Sequence, residues 1–399
     1  MDYRFTDEEE SFRQEIREFL RAELPAGEEQ GEEQEGGSEK WEFARRFQKK
    51  LAAKGWLVPH WPKEYGGGAM GIMEQVVMRE EMSYGRAPLL DIFGVNMLGP
   101  VLMLYGTDEQ KKKHLPGISS AAVTWCQGYS EPQSGSDLAS LQTKAVKDGD
   151  DYVINGQKIW TSNAHRADWM FLLARTDPKA PKHKGISFLL TPTDTPGFST
   201  RPLINLAGQH GFNEVFFEDV RIPVSNLVAE ENRGWYVGAA LLDFERSGIG
   251  SSGASRRNLD DLVTYVKDGG RGKKEGGGSG NGAVKATVRH RLAELVIETD
   301  VGRYLSYRVA SMQSKGEVPN YEASVAKGYL SELGQRVAGA GVNIMGLPGQ
   351  VRPESKKWAA LRGSFAMLYQ VSMGMTIAGG TSEIQRNIIA QRGLGLPRG

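Results

Sequence analysis

The sequence predicts an α+β protein with an N-terminal helical domain, a central antiparallel β-sandwich or barrel, and a C-terminal four-helix bundle. Three observations support that reading. Apolar residues recur at helical spacing up to about residue 121. Short runs rich in Val, Ile and aromatics, separated by turn formers, fill residues 122–233, and the helical period returns from Gly234 to the end. The divisions are therefore 1–121, 122–233 and 234–399, which agrees with a chain of 399 residues being too long for one small core.

In the first division, Thr6-Asp-Glu-Glu9 fits a capping box ahead of Phe12, Ile16, Phe19 and Leu20 at helical spacing. The Gly/Glu-rich tract Ala26–Glu39 reads as a solvated loop. A second amphipathic helix ends over Leu51–Trp56, and Trp61–Gly68 is a turn-rich connection. Met73–Met82 and Met97–Tyr105 supply further apolar helical faces, and Gly106–Lys111 caps a helix expected to stop before Pro116.

In the second division, Asp151–Asn155, Trp169–Ala174, Gly185–Thr191 and Glu214–Val220 read as strands. Lys147-Asp-Gly-Asp150 and Asn155-Gly156 are the turn signals between them, Asn-Gly being a strong hairpin dipeptide. Strands without intervening helices imply antiparallel pairing over about a hundred residues rather than βαβ units. In the third, Trp235–Leu262, Val284–Gln313, Ala323–Val337 and Ser364–Ile377 read as long helices. The glycine-rich run Asp268–Gly282 follows no strand and opens no helix, so it reads as a flexible linker and not as a phosphate cradle.

Composition excludes several classes. Lys plus Arg equals Asp plus Glu at 49 each, so no net field draws in nucleic acid or an acidic membrane. The lone Cys126 excludes an internal disulfide framework and a cysteine zinc cluster. The six histidines are scattered, which argues against a metal site. No apolar run approaches the roughly 20 residues that span a bilayer. The acidic N-terminus does not resemble a signal peptide, so a cytoplasmic protein is expected. Gly339-Ala-Gly341-Val-Asn-Ile-Met-Gly346 has the wrong spacing for a dinucleotide fingerprint and follows a helix-like segment. There is no Gly-x-Ser-x-Gly elbow and no P-loop.

Two polar segments stand out in the β division: Cys126–Ser140 and Asn155–Asn163. Dense in small hydroxyls and turn formers, they suit a groove for a flat polar ligand on which Trp160 could stack. They equally suit a pair of tight turns around a core tryptophan, and their residues alone leave both readings open. At the C-terminus, Thr376–Gly393 starts a short helix behind a glycine pair. Backbone N–H groups there can hold an anion or a carbonyl oxygen, but nothing adjacent can move a proton.

Gly128-Tyr-Ser-Glu-Pro-Gln-Ser-Gly-Ser-Asp-Leu-Ala-Ser140 resembles the first signature of the acyl-CoA dehydrogenases. Lys158-Ile-Trp-Thr-Ser-Asn163 and Gly380-Thr-Ser-Glu-Ile-Gln-Arg386 resemble two more of its hallmarks, and lesser echoes at 61–67, 106–116 and 219–235 extend the resemblance over essentially the whole chain. It implies FAD, an acyl-CoA substrate, α,β-dehydrogenation to the trans-2-enoyl-CoA, and electron transfer to an electron-transfer flavoprotein. By position, Gln127, Tyr129 and Ser130 line the flavin and substrate groove, while Trp160 and Ser162 face the isoalloxazine. Ser136 bridges substrate and cofactor. Thr381 and Glu383 meet the pyrophosphate and adenosine region, and Asp243 and Arg246 hold the CoA portion. A backbone N–H of Gly379 or Gly380 holds the thioester oxygen, because an α-hydrogen yields to a carboxylate only when its enolate is stabilised.

Many members place the catalytic glutamate where Gly379 stands. A second family solution sets it on a helix of the C-terminal bundle within Leu-x-x-Glu-Arg, which Leu242-Asp-Phe-Glu-Arg246 matches, so Glu245 is the candidate base. Glu131 reads as structural or cofactor-binding. Two elements depart from the family pattern. Arg-x-x-Phe-Gly is replaced by the run 268–282, with Arg289 a substitute for its arginine, and Gln-x-x-Gly-Gly-x-Gly-Tyr survives only as Arg336–Val342. Since both elements reach a neighbour's FAD in homotetramers, their erosion raises α2β2 pairing of unlike subunits beside a homo-oligomer. The rivals are a flavin monooxygenase or oxidase on the same fold, and a non-catalytic partner subunit.

Overall fold

The capping box forms as the sequence indicates. Glu9 N–H donates to Thr6 Oγ1 at 3.2 Å and Thr6 N–H to Glu9 Oε2 at 2.8 Å, opening helix α1 (Asp7–Glu23). The structure, a computed structural model, describes residues 4–25, 38–88, 91–245, 252–270, 285–355 and 357–397. Helices α2 (Ser38–Ala53), α3 (Ile72–Tyr84), α4 (Gly99–Tyr105) and α5 (Asp108–Ser119) complete the N-terminal part. Eight strands follow, and then α6 (Gly234–Glu245), α7 (Ser252–Lys267), α8 (Ala286–Ser314), α9 (Tyr321–Met345), α10 (Ser364–Met375) and α11 (Ser382–Ile388). The architecture is α+β, in the order read from the sequence.

The chain groups into two compact units. One contains α1, α3 and α7–α11. Its long helices bury Leu259, Leu262, Leu295, Leu333, Val337 and Phe365 against one another. In the degenerate Arg336–Val342 element Gly341 serves packing: a Cβ there would collide with the Phe365 ring. Arg336 pairs with Glu298 at 2.6 Å and covers Tyr329. Helix α1 is pinned to α3 by Arg13 and Arg17 on Glu81, each at 2.8 Å, and Tyr307 of α8 donates to Glu80 at 2.7 Å.

The other unit contains α2, α4, α5, the strands and α6. Strands β1 (Trp125–Gly128), β2 (Lys144–Asp148), β3 (Asp151–Ser162), β4 (Trp169–Arg175), β5 (Ile186–Pro192), β6 (Phe198–Ile204), β7 (His210–Pro223) and β8 (Leu227–Val228) form one sheet. Its order is β6-β7-β3-β2-β4-β5-β8, with β1 on β4. The pairings are antiparallel as expected, except that β1–β4 and the short β2–β4 contact are parallel, so the sheet is mixed. Its core gathers Tyr152, Ile154, Met170, Leu172, Leu189, Val215 and Phe217.

Several local expectations change. Asn155-Gly156 is not a hairpin turn; it lies inside β3, which runs unbroken to Ser162. The other turn signal, Lys147–Asp150, is borne out: β2 turns into β3 over Asp148–Asp151. Asn155 is occupied across the sheet, donating to Asp219 Oδ1 at 2.9 Å and accepting from Asp219 N–H at 3.0 Å. Asp219 belongs to a bulge in β7, and a second bulge in β3, at Ile159–Trp160, lies further along. Helix α5 runs past Pro116 rather than stopping before it. The missing N–H costs little in the last turn, where Leu115 and Ile118 are buried and the Pro116 carbonyl accepts from Ser120. The sequence reads Trp235–Leu262 as one helix; its described residues form α6 and α7, with 246–251 outside the described residues. The linkers at 26–37 and 271–282 also lie outside them, and Ser38 and Glu39 already belong to α2.

Candidate active site

In the β unit, both polar segments meet through one buried ion pair. Lys158, with 0% of its surface exposed, donates to Glu131 Oε1 at 2.8 Å and to the Tyr129 carbonyl at 3.1 Å. Glu131 also accepts Gln142 N–H at 2.6 Å and Thr143 N–H at 2.9 Å. Burial pushes its carboxyl up, but the Lys158 charge and these donors outweigh that and hold it below the usual range. Sequence reasoning singles out both segments without pairing Glu131 to Lys158. The available signal is partial: Lys158 is the one charge in Asn155–Asn163, while Cys126–Ser140 offers two acids, Glu131 and Asp137.

This clamp holds the two segments together. Ile159 N–H donates to the Ser130 carbonyl at 2.9 Å, tying β3 to the loop that follows β1. The bulge then turns Trp160 outward at φ +60°, a left-handed conformation rare for a bulky residue, leaving 60% of it exposed with its edge toward Phe212. Ser130 and Ser162 are half-buried and Ser136 is exposed. The loop bearing Ser136 is braced by Ser134 Oγ against Ser140 Oγ at 3.0 Å, and by Arg175 on the Ala139 carbonyl at 2.7 Å. Gln127 lies half-buried on β1 beside Met97.

Tyr129 is buried, edge-on to Phe171 at 5.9 Å. Its hydroxyl lies against α6, where a Cβ on Gly238 would come within 3.1 Å. Glycine therefore lets α6 pack closely against Tyr129 and Leu173. Glu245 ends α6, seven residues further on and about 10 Å along the axis. Asp243 lies in the same last turn, and Arg246 is outside the described residues.

In the helical unit, Thr381 caps α11 by accepting Ile384 N–H at 3.2 Å. Glu383, in the first turn, is solvent-facing; its own backbone N–H, and then Thr381, hold its carboxyl below the usual range. Arg289 is exposed on α8. Gly379 and Gly380 both take positive φ, at +66° and +88°. Neither N–H is hydrogen-bonded among the described residues, and no acid stands in the turn.

Three family models match the chain in order: the acyl-CoA dehydrogenase N-terminal domain over 6–122, the middle domain over 126–220 and the C-terminal domain over 232–394. The chain belongs to the acyl-CoA dehydrogenase family. It is 37% identical over 398 residues to the acyl-CoA dehydrogenase IpdE1 of Mycobacterium tuberculosis, covering 98% of each chain. Among solved structures, the Tcur3481–Tcur3483 steroid ACAD is 38% identical with a TM-score of 0.88, over 100% of both chains. The ChsE4–ChsE5 complex from Mycobacterium tuberculosis is 35% identical, again with a TM-score of 0.88 over 100% of both.

Acyl-CoA dehydrogenases are flavoproteins and oxidoreductases, and the residues here fit such a cofactor. An indole with 60% of its surface open beside half-buried serines suits a stacked ring, and Ser382 Oγ is buried with no hydrogen-bond partner among the described residues. No described group of three or more His, Cys, Asp or Glu could hold a metal ion, and no described helix is long and apolar enough to cross a membrane.

Proposed function

We propose that this chain carries out FAD-dependent α,β-dehydrogenation of a bulky, ring-bearing acyl-CoA thioester, within an α2β2 assembly with an unlike subunit, and passes electrons to an electron-transfer flavoprotein. The observation that carries the reading is the combination of an acid-free glycine turn at Gly379–Gly380 with a glutamate at the end of α6. The size and class of substrate rest on the steroid ACAD among its neighbours, and the unlike partner on the two-component names of that protein and of the ChsE4–ChsE5 complex and on the eroded Arg336–Val342 element.

FAD, when bound, supplies the acceptor for the hydride that leaves the β-carbon. Glu245 takes the α-proton, and the electron pair of that C–H bond forms the Cα=Cβ double bond as the β-hydride leaves, with enolate charge developing on the thioester oxygen on the way. A Gly379 or Gly380 N–H holds that oxygen; a single such donor is worth roughly 10²–10³ in rate. Gln127, Tyr129, Ser130, Trp160 and Ser162 form the flavin wall, with Thr381, Glu383 and Arg289 toward the rest of FAD. Ser136, Asp243 and Arg246 hold the thioester and CoA.

The test is a panel of straight-chain, branched, dicarboxylic and steroid-derived acyl-CoAs with an artificial electron acceptor, alongside the flavin-to-chain ratio of the co-expressed complex. Steroid-type thioesters are expected to turn over best, with half occupancy marking an unlike partner. Glu245→Gln is expected to lose turnover by on the order of 10³-fold with flavin retained. Intact turnover in that variant would make the chain a supporting subunit. Rapid reoxidation by oxygen, or a hydroxylated product, would make it an oxidase or monooxygenase.

A further inference from the structure

The glycine turn is braced from behind by two side chains that no signature role accounts for. Gln385 of α11, only 1% exposed, directs its Nε2 at two successive carbonyls, Gly379 O at 3.1 Å and Gly380 O at 3.2 Å. Lys327 of α9 donates to the same Gly380 oxygen at 2.6 Å. Carbonyls only accept, so the nitrogen face of the amide must point at them. In a trans peptide the N–H lies opposite the C=O. Anchoring these two carbonyls therefore turns the Gly380 and Thr381 N–H groups away from Gln385 and Lys327. The segment is tied at its ends as well: Ala378 N–H donates to Gly374 O and Ser382 N–H to Thr376 O, both at 2.9 Å.

We propose that Gln385, seconded by Lys327, is a positioning residue that holds and polarises the peptide groups of the turn for the developing thioester enolate. The inference rests on the reading of Gly379–Gly380 given under Proposed function. Three features favour this over space-filling. The Gln385 Oε1 is buried with no hydrogen-bond partner among the described residues, a destabilising arrangement that an apolar side chain of similar size would avoid. The amide's donors, not its volume, are what the site uses. A hydrogen bond onto a carbonyl draws electron density across that peptide and sharpens the N–H beyond it, more so when the donor is an ammonium. The arrangement also excludes a side chain at Gly380, whose Cβ would come within 2.7 Å of Gln385 Nε2.

The experiment compares Gln385→Leu, Lys327→Met and the conservative Lys327→Arg in the complex co-expressed with its partner subunit. Four quantities are read: kcat and KM, flavin per chain, amide exchange across 377–384, and the pH midpoint of enolate formation. The last is followed by the long-wavelength absorbance of a bound 3-thia analogue of the best panel substrate. Gln385→Leu and Lys327→Met are each expected to lower kcat by about tenfold with KM little changed, since small misplacements act on the reacting geometry. Flavin content holds, exchange quickens, and the midpoint rises by about one pH unit, the equivalent of that tenfold loss of enolate stabilisation. Lys327→Arg restores most of the effect.

The proposal is overturned if wild type shows the band while the variants keep its midpoint, or if they lose flavin and thermal stability with no midpoint shift in the flavin-bearing fraction. Should Gln385→Leu fail to fold, Lys327→Met alone decides between these outcomes. If wild type neither forms the band nor oxidises any acyl-CoA, the functional reading itself fails, and this one with it.

Discussion

Lys158→Met offers the most direct probe of the groove, because it keeps the side-chain volume and removes only the ammonium. What is left is a Glu131 carboxylate, 7% exposed, that retains Gln142 N–H and Thr143 N–H but has lost its counter-charge. Removing one partner of a buried pair costs roughly 3–5 kcal/mol. The two surviving donors put this case at the lower end, about 3 kcal/mol. For a unit of roughly 150–250 residues that corresponds to a Tm lower by about 6–12 °C. The assay is a double-mutant cycle with Glu131→Gln in thermal unfolding, with amide exchange over 128–142 as a local readout. The double variant is expected to be more stable than the sum of the single losses, by at least about 1.5 kcal/mol. The acid limb gives a second check. The folded Glu131 carboxyl lies below its unfolded value, so its stabilisation is present above the usual carboxylate range and is lost as pH falls through the folded value. Without Lys158 that loss begins at higher pH. A coupling under about 0.5 kcal/mol, as for an exposed pair, would refute the clamp.

Two further outcomes follow from the same unit. Trp160→Ala is expected to change the Tm of the cofactor-free chain by less than about 2 °C, since the ring is mostly in water, while lowering flavin retained through gel filtration; a large stability loss with unchanged flavin content would make it a core residue. His114, edge-on to Trp125 and Trp169, has its pKa pushed down to about 4 by burial, with the Lys113 charge adding. Its folded pKa is below the unfolded one, so stability is full above about pH 6.5 and falls progressively toward pH 4. His114→Phe is expected to remove that slope from a plot of Tm against pH, and parallel curves would refute it.

The order of helices, strands and helices was legible because each segment is long enough for its period to emerge. What escaped depended on partners far away in the chain. Asn155-Gly156 carries a turn signal that is real locally, yet Asp219, distant in sequence, engages Asn155 and the strand continues through it. Pro116 reads as a stop, but the burial of Leu115 and Ile118 carries α5 through it. At the site, residue types and spacing singled out the two polar segments, with Trp160 in one of them, and the glycine pair as candidates. They did not reveal that Lys158 belongs to Glu131 or that Gln385 belongs to Gly379 and Gly380, since neither pairing has a periodic signature. The parallel β1–β4 and β2–β4 pairings were hidden for the same reason: strand order is a property of the closed sheet.

The two offset bulges, one on β7 at Glu218–Asp219 and one on β3 at Ile159–Trp160, also constrain how this chain can change length. The β7 bulge carries one extra residue on its strand, and the β3 bulge at Ile159–Trp160 carries one on the other, so pairing returns to its original register at Thr161 and Ser162. Deleting one residue from either strand would leave the other bulge uncompensated and send every side chain beyond it to the opposite face. A matched deletion in both strands would preserve the alternation and lose only the outward indole. In related sequences, gaps in these two strands should therefore come in pairs or not at all, even where the residues themselves vary freely.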